Sequence, residues 1–211
     1  MSAQVAETTY QGRMTNPPPE ITVGNVEVRR IEVSSFVSKL AAIKSGRGTT
    51  PGIYTAMYRN GALWMSDTSA EYWDHMEAIR RFRYESTHRV LINGLGLGLI
   101  LGEALTHDHI EHVDVVEIDP NVVAAVGPHF TTDPRVTIHE ADAYTIKWPT
   151  GTQWDVAWHD IWLDLCTDNL PKMARLHRRY GRRVGWQGSW GKELLQSRRR
   201  REQAQRSAWG W

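Results

Sequence analysis

The spacing of apolar residues divides the chain into two parts. From Ile21 to Phe36, Val and Ile recur with partial alternation, which predicts β structure. Lys44 to Gly52 carries three glycines, two threonines and Pro51, and predicts a loop. Tyr54 to Met65 reads as a hairpin, because Asn60-Gly61 separates two short apolar runs and suits a type I′ turn. Beyond this point the period lengthens. Thr68 with Glu71 makes a capping-box pattern, and Tyr72, Met76, Ile79 and Phe82 fall on one helical stripe. Strand and helix signals then alternate. Strands are predicted at Val90–Ile92, Val113–Ile118, Val136–His139 and Val156–His159, with a weak one at Arg183–Trp186. Helices are predicted at Gly98–His107, Asn121–Val126, Asp168–Arg179 and Lys192–Arg206.

This order predicts an α/β fold, a doubly wound and mostly parallel sheet covered on both faces, preceded by a small N-terminal β appendage. The expected organisation is a flexible leader over 1–20, ending in Asn16-Pro17-Pro18-Pro19, and the appendage over 21–66. The main domain follows over 67–190, and a basic helix and tail over 191–211.

The candidate chemistry starts at VLINGLGLGL, where an apolar strand runs into a turn with glycines at 94, 96 and 98. Glycine lets a backbone approach a ligand closely. A dinucleotide fingerprint needs G-x-G-x-x-G or A, but Leu99 holds the last position. No Gly-Lys-Ser/Thr follows, so a phosphate loop is excluded. The spacing suits an adenosine-type cofactor without a pyrophosphate. Three acids strengthen that reading. Glu117 ends the second strand, 19 residues after Gly98, close to the ~20 expected of a ribose acceptor. Asp142 follows the third strand in HEADA, where a carboxylate can take an adenine amino group. Asp160 ends the fourth strand in WDVAWHD. All three sit at carboxyl ends of parallel strands, where ligands of open α/β sheets bind.

With these motifs the chain resembles class I S-adenosylmethionine-dependent methyltransferases, and more narrowly their spermidine-synthase-like branch. The resemblance spans about residues 54–165 and rests on LWMSD, YWDHM, VLINGLGLGL, VVEIDPNVV, HEADA and WDVAWHD. It implies a Rossmann-like methyltransferase fold and S-adenosyl-L-methionine as cofactor. Asn93, Gly94, Leu95, Gly96 and Gly98 would line that cofactor, Glu117 with Ile118 beside it would hold the ribose, and Asp142 with Ala143 would hold the adenine. Asp160 would stand at the reacting centre. The fold would be shortened at its C-terminal end, lacking the last antiparallel hairpin. The exposed edge is then left for the N-terminal hairpin or a second subunit to cover.

Departures from the family pattern select among activities. Polyamine synthases carry an aspartate in the glycine turn for the ammonium of the decarboxylated cofactor, and here that position is Leu97. A free ammonium beside leucine would be costly to bury. The family's tyrosine–histidine pair is replaced by Trp73 and Asp74, and its aspartate-serine-serine-aspartate run by Asp160-Ile161-Trp162-Leu163. These changes favour methyl transfer from ordinary S-adenosyl-L-methionine. Aminopropyl transfer and an inactive nucleoside-binding module stay open as alternatives. Where a base is needed, the candidates are Asp160 and His159; as strand neighbours they should point in different directions, with Asp160 expected in the crevice. Trp64, Trp158 and Trp162 are candidate walls for a cationic or aromatic substrate.

The acceptor class narrows only in part. Asp160-Ile161-Trp162 lacks the Pro-Pro-aromatic motif of DNA amino methylation, and Cys166 follows Leu165 rather than proline, against cytosine C5 chemistry. A small molecule, RNA or a protein remains as substrate. His107, His109 and His112 lie in a short connection without a cysteine and read as loop residues, so no metal is expected.

Composition adds one feature. The 211 residues include a single cysteine, and the pattern shows no membrane span and no secretory leader, so a cytoplasmic location is expected. Charge is strongly asymmetric. Residues 1–171 hold 13 Lys+Arg against 22 Asp+Glu, whereas residues 172–211 hold 12 against 2. Such a basic arm either docks on its own acidic body or contacts nucleic acid, and self-docking or plain solvation is the favoured expectation.

Overall fold

The computed structural model describes residues 9–39 and 48–208. Two sheets form. The first is antiparallel, with β1 (Ile21–Val23), β2 (Val26–Val33), β3 (Gly52–Arg59) and β4 (Ala62–Ser66) side by side in chain order. Asn60 and Gly61 both take positive φ, 52° and 75°, as the type I′ turn between β3 and β4 requires. Next come two short helices, α1 (Ser69–Asp74) and α2 (Met76–Phe82).

The second sheet is parallel. Its strands are β5 (Arg89–Asn93), β6 (His112–Glu117), β7 (Val136–Glu140), β8 (Trp154–His159) and β9 (Val184–Ser189), in the order β7-β6-β5-β8-β9. The connecting helices are α3 (Leu99–Leu105), α4 (Pro120–Phe130) and α5 (Asn169–Tyr180), and α6 (Lys192–Ala208) follows β9. This is a doubly wound, Rossmann-like arrangement. The order reverses between β5 and β8, so a crevice opens at their carboxyl ends.

Strand periodicity separates two apolar cores. Val90, Ile92, Val113, Val115, Val156 and Trp158 face one core, shared with α2, α3 and α4. Leu91, Val116 and Ala157, one residue out of phase, face the other, shared with α5 and α6. The inner strands β5, β6 and β8 carry apolar residues on both faces because helices cover both. The antiparallel sheet joins the first core: Val26, Val28 and Met57 pack there together with Val122 and Val126 of α4. Asn121 Nδ2 also donates to Asn25 Oδ1 at 3.0 Å.

Several expectations need correction. Of the expected flexible leader, residues 9–20 are tied down, while 1–8 lie outside the described residues. The backbone pairs at Gln11 and Thr9 with Ile53, and Met14 is buried in the first core. The Tyr10 hydroxyl donates to Asp67, which also accepts from Thr55 N–H at 2.7 Å. An apolar anchor at Met14 and a buried carboxylate that needs donors together outweigh the polar composition of the segment. The single helix expected from Thr68 to Phe82 is broken at His75, whose backbone leaves the helical region at φ −103°, ψ 5°. The capping box is also altered. Thr68 caps α1 without a side-chain bond, and Glu71 reaches back to Ser66, accepting from its N–H and hydroxyl at 2.7–2.9 Å. Among the described residues no helix is long and apolar enough to cross a membrane.

Gly98 sets the start of α3. It takes φ 80°, and a Cβ there would run into the Phe130 ring of α4. Gly98→Ala is therefore expected to destabilise the fold by about 2–4 kcal/mol, combining a left-handed backbone penalty with overpacking. Urea unfolding should show this, and adding Phe130→Leu should recover only the overpacking part.

Candidate functional site

Two adjoining cavities lie across the carboxyl ends of the parallel strands. One, about 430 Å³, is edged by Glu117, Ile118, Asp142 and Ala143. The other, about 260 Å³, is edged by Glu71, Asp74, His75, Leu97 and Trp158. Trp64, Met65, Gly94, Gly96, Asp160 and Trp162 line both, so Asp160 stands where they meet. A larger cavity, about 670 Å³, lies apart from the strand ends, between residues 13–16, α3 and α4.

Glu117 is the last residue of β6 and is 8% exposed. Its carboxylate faces the glycine turn: Oε2 accepts from Leu95 N–H and Oε1 from Asp119 N–H, each at 2.9 Å. A carboxylate offers about four acceptor positions, so the two bonds leave capacity for ligand hydroxyls. Gly94 takes φ 102°, and a Cβ there would strike the carbonyl oxygen of Asp160. Only glycine lets the loop after β8 close on this turn. Met65 presses on Gly96, and its sulfur accepts from Leu97 N–H at 3.2 Å. Past β6, Ile118 is 67% exposed although it edges the larger of the two cavities. With Ala143 and Ile161 it offers apolar walls for a flat ring. Asp142 Oδ1 accepts from Tyr144 N–H at 2.8 Å, while Oδ2 faces Thr145 Oγ1 at 3.4 Å.

Three expected site residues do not line these cavities. Asn93 and His159 occupy the last positions of β5 and β8, in phase with Leu91 and Ala157, on the α5 side of the sheet. They bond to each other, Asn93 Nδ2 to His159 Nδ1 at 2.7 Å, and His159 Nε2 meets Gln187 Oε1 at 3.1 Å. His159 has no exposed surface, and burial pushes its pKa down to about 3, so it is neutral and sealed rather than poised as a base. Gly98 serves the α3–α4 contact instead of the crevice. Gly94, Leu95, Gly96, Glu117, Ile118, Asp142, Ala143 and Asp160 do line it.

The smaller cavity is unusually acidic. Burial pushes Asp160 up to about 7, helped by the negative charges of Glu71, Asp74 and Glu117. Burial likewise pushes Glu71 up to about 7, although Ser66 donates to it. Among the described residues neither acid pairs with Lys or Arg; Arg59 goes to Asp119 at 2.7 Å. His75 is the nearest base. Trp158 Nε1 donates to His75 Nδ1 at 3.2 Å, which leaves Nε2 to carry the proton of a neutral ring, 3.8 Å from Asp160 Oδ2. Burial holds the His75 pKa down to about 4, so it brings no charge at neutral pH. His75 and the inward role of Glu71 escape the helical-stripe reading. The polar run Trp73-Asp74-His75 interrupting an apolar stripe is the signal that could have revealed them.

No family model matches the chain. It is 34% identical over 113 residues to polyamine aminopropyltransferase 2 of Ralstonia nicotianae, which covers 48% of this chain and 22% of that protein. The chain spans between 21% and 36% of the length of the curated relatives it matches. Among solved structures, spermidine synthase from Thermotoga maritima aligns with 20% identity and a TM-score of 0.41, over 68% of this chain and 47% of that one. The amino pentose methyltransferase CalS10 from Micromonospora echinaspora aligns with 25% identity and a TM-score of 0.36, over 51% and 41%. Over the stretch matched by the curated relatives the chain is similar to polyamine aminopropyltransferases.

The raised carboxyls have a consequence for stability. Between about pH 4, where unfolded carboxyls titrate, and about pH 7, the folded chain holds protons that the unfolded chain has lost. Their contribution to stability therefore falls as pH rises through that window. Asp160→Asn is expected to raise Tm at pH 8 by at least ~2 °C and to leave it nearly unchanged at pH 4. Thermal melts at the two pH values check this, and an equal shift at both would show that Asp160 is not ionising against its neighbours.

Proposed function

We propose that this chain is an S-adenosyl-L-methionine-dependent transferase that methylates an amine. The observation that carries the reading is the position of Asp160, between a nucleoside-sized cavity edged by Glu117 and Asp142 and a smaller cavity edged by Glu71 and Asp74. The donor set fits the cofactor. Glu117 has free acceptor capacity for ribose hydroxyls, Asp142 faces the place of an adenine amino group, and Ile118 gives the ring an apolar face. The bound sulfonium supplies an already activated methyl group, so the protein's task is alignment and exclusion of water.

An amine reaches neutral solution as an ammonium. The charges of Glu71, Asp74 and Asp160 draw it into the smaller cavity, and the indoles of Trp64 and Trp162 line its entrance. Attack requires the lone pair, so a proton must leave first. With its pKa at about 7, Asp160 is matched to accept that proton at its carboxylate near neutral pH. Neutral His75, held by Trp158, fixes the wall behind Asp160. The same reading takes the chain as cytoplasmic, in keeping with the unpaired Cys166.

Leu97 supports methyl over aminopropyl transfer. It is 2% exposed, edges the smaller cavity and gives the glycine turn no carboxylate for the ammonium of a decarboxylated cofactor. Aminopropyl transfer is the second reading, favoured by the acids of that cavity and by the activity named for the curated relatives.

Calorimetry separates the two. Tight binding of S-adenosyl-L-methionine and its demethylated product is the expected result, and preference for the decarboxylated form would select aminopropyl transfer. Absence of binding to all three would end the transferase reading. Glu117→Ala should weaken cofactor binding at least about tenfold, through loss of charge-assisted hydrogen bonds. Asp160→Asn should keep that affinity and lower turnover on whichever amine of a panel is used best. Full turnover in this variant would remove the proton-accepting role.

A further inference from the structure

The basic end of the chain is held on the body by an apolar contact rather than by ion pairs. Helix α6 packs on α5 through Leu195, which joins Leu170, Met173, Leu176 and Tyr180 in the second core. The partner helix is itself basic: Lys172, Arg175, Arg178 and Arg179 all lie on its exposed side. Positive charge is thus stacked on positive charge. Among the described residues, no ion pair involves any basic residue from Lys172 onward. Some of the guanidinium groups are used locally, as Arg183 on the carbonyls of Pro149 and Thr152. Arg199, Arg200 and Arg201 stand fully in solvent. Such crowding raises the energy of the isolated chain and is relieved when a polyanion binds.

Between the two helices runs a concave groove of about 640 Å³, with Arg178 on one wall and Lys192, Arg199 and Arg200 on the other. His177 lies at its floor, with Nε2 bonded to Ser189 Oγ at 2.7 Å and Nδ1 near Lys192 Nζ at 3.3 Å. Burial and Lys192 keep it neutral, so the groove's charge comes from permanent cations. We propose that this groove binds the sugar–phosphate backbone of a single-stranded nucleic acid, independently of base sequence.

Three observations favour that occupant. Guanidinium forks on both walls match phosphate diesters bidentately. Residues 196–207 of α6 contain no large apolar side chain, so this arginine-bearing stretch has nothing to insert into a lipid surface. Among the described residues, no acidic residue lines the groove. The groove's concavity suits one strand, whereas a duplex would rest on its rims.

The test uses the full chain and a fluorescent 15-nucleotide uridine RNA, read by anisotropy. Binding is expected at 50 mM salt. The plot of log affinity against log salt should have a slope of about −3, from ~4 phosphate contacts at ~0.7 each. Arg199→Glu with Arg200→Glu should weaken binding at least tenfold and reduce the slope by about 1.4. The milder Arg199→Gln, Arg200→Gln pair should act in the same direction. Exposed Lys39→Glu, in the segment after β2, should leave affinity within twofold. Unchanged binding of S-adenosyl-L-methionine or of the thermal midpoint would show that the arginine variants remain folded. No RNA binding at 50 mM salt, wild-type affinity in both arginine pairs, or tighter binding to duplex DNA or anionic vesicles would overturn the proposal. Salt-dependent self-association without RNA would assign the groove to a second copy instead.

Discussion

The carboxylate of Glu117 braces the glycine turn after β5 against the end of β6. One oxygen takes the N–H of Leu95 in the turn after β5, and the other takes the N–H of Asp119 as α4 begins. A single buried acid thereby fixes the glycine turn relative to the start of the next helix. The loop after β8 can then close on Gly94, where no side chain stands in its way. The crevice, its two cavities and the place of Asp160 all follow from this bracing. The same carboxylate keeps acceptor capacity for a ligand, so one side chain organises the empty site and faces its occupant.

Electrostatics divides the molecule into two poles. Acids gather at the carboxyl ends of the strands, where burial and mutual repulsion hold Asp160 and Glu71 partly protonated near neutral pH. Cations gather on α5 and α6, beyond the second core. Neither pole neutralises the other. A cationic amine at the first and a phosphate backbone at the second would each discharge a field that the fold itself leaves unbalanced. Arg198 donates to the carbonyl of Leu165 in the segment after β8, so the basic helix also braces the loop that carries Asp160 and Trp162.

The fold was legible in the sequence because two periods, 2 and 3.6, leave marks that survive without tertiary context. Val90-Leu91-Ile92 is apolar throughout, and Val113, Val115 and Val116 place apolar side chains on both faces of β6, as a strand covered on both faces requires. The glycine turn and the acids at Glu117, Asp142 and Asp160 were legible for a similar reason. Strand ends are where a parallel sheet must present its polar groups, and the spacing of the motifs fixes which residues those are. The type I′ turn at Asn60-Gly61 was equally readable, since its chemistry is local.

Direction and partnership were not readable. Whether the last residue of a strand faces the crevice or the opposite core depends on a phase that the apolar pattern leaves undefined at the polar end. Asn93 and His159 therefore looked like site residues and turned out to pair with each other beneath the sheet. Glu71 had the spacing of a cap, but Ser66 lies nearer once β4 is docked, and His75 entered the site only because the helix breaks on it. The charge asymmetry was plain from composition, but the contact that holds the basic helix on its own body was not. Leu195 belongs to the α5 core, and apolar burial outweighed the attraction of distant, screened charges. The sequence alone determined the elements, their order and the residues at the strand ends. The tertiary structure alone decided which way those residues face and which charges meet, because both depend on contacts between segments far apart in the chain.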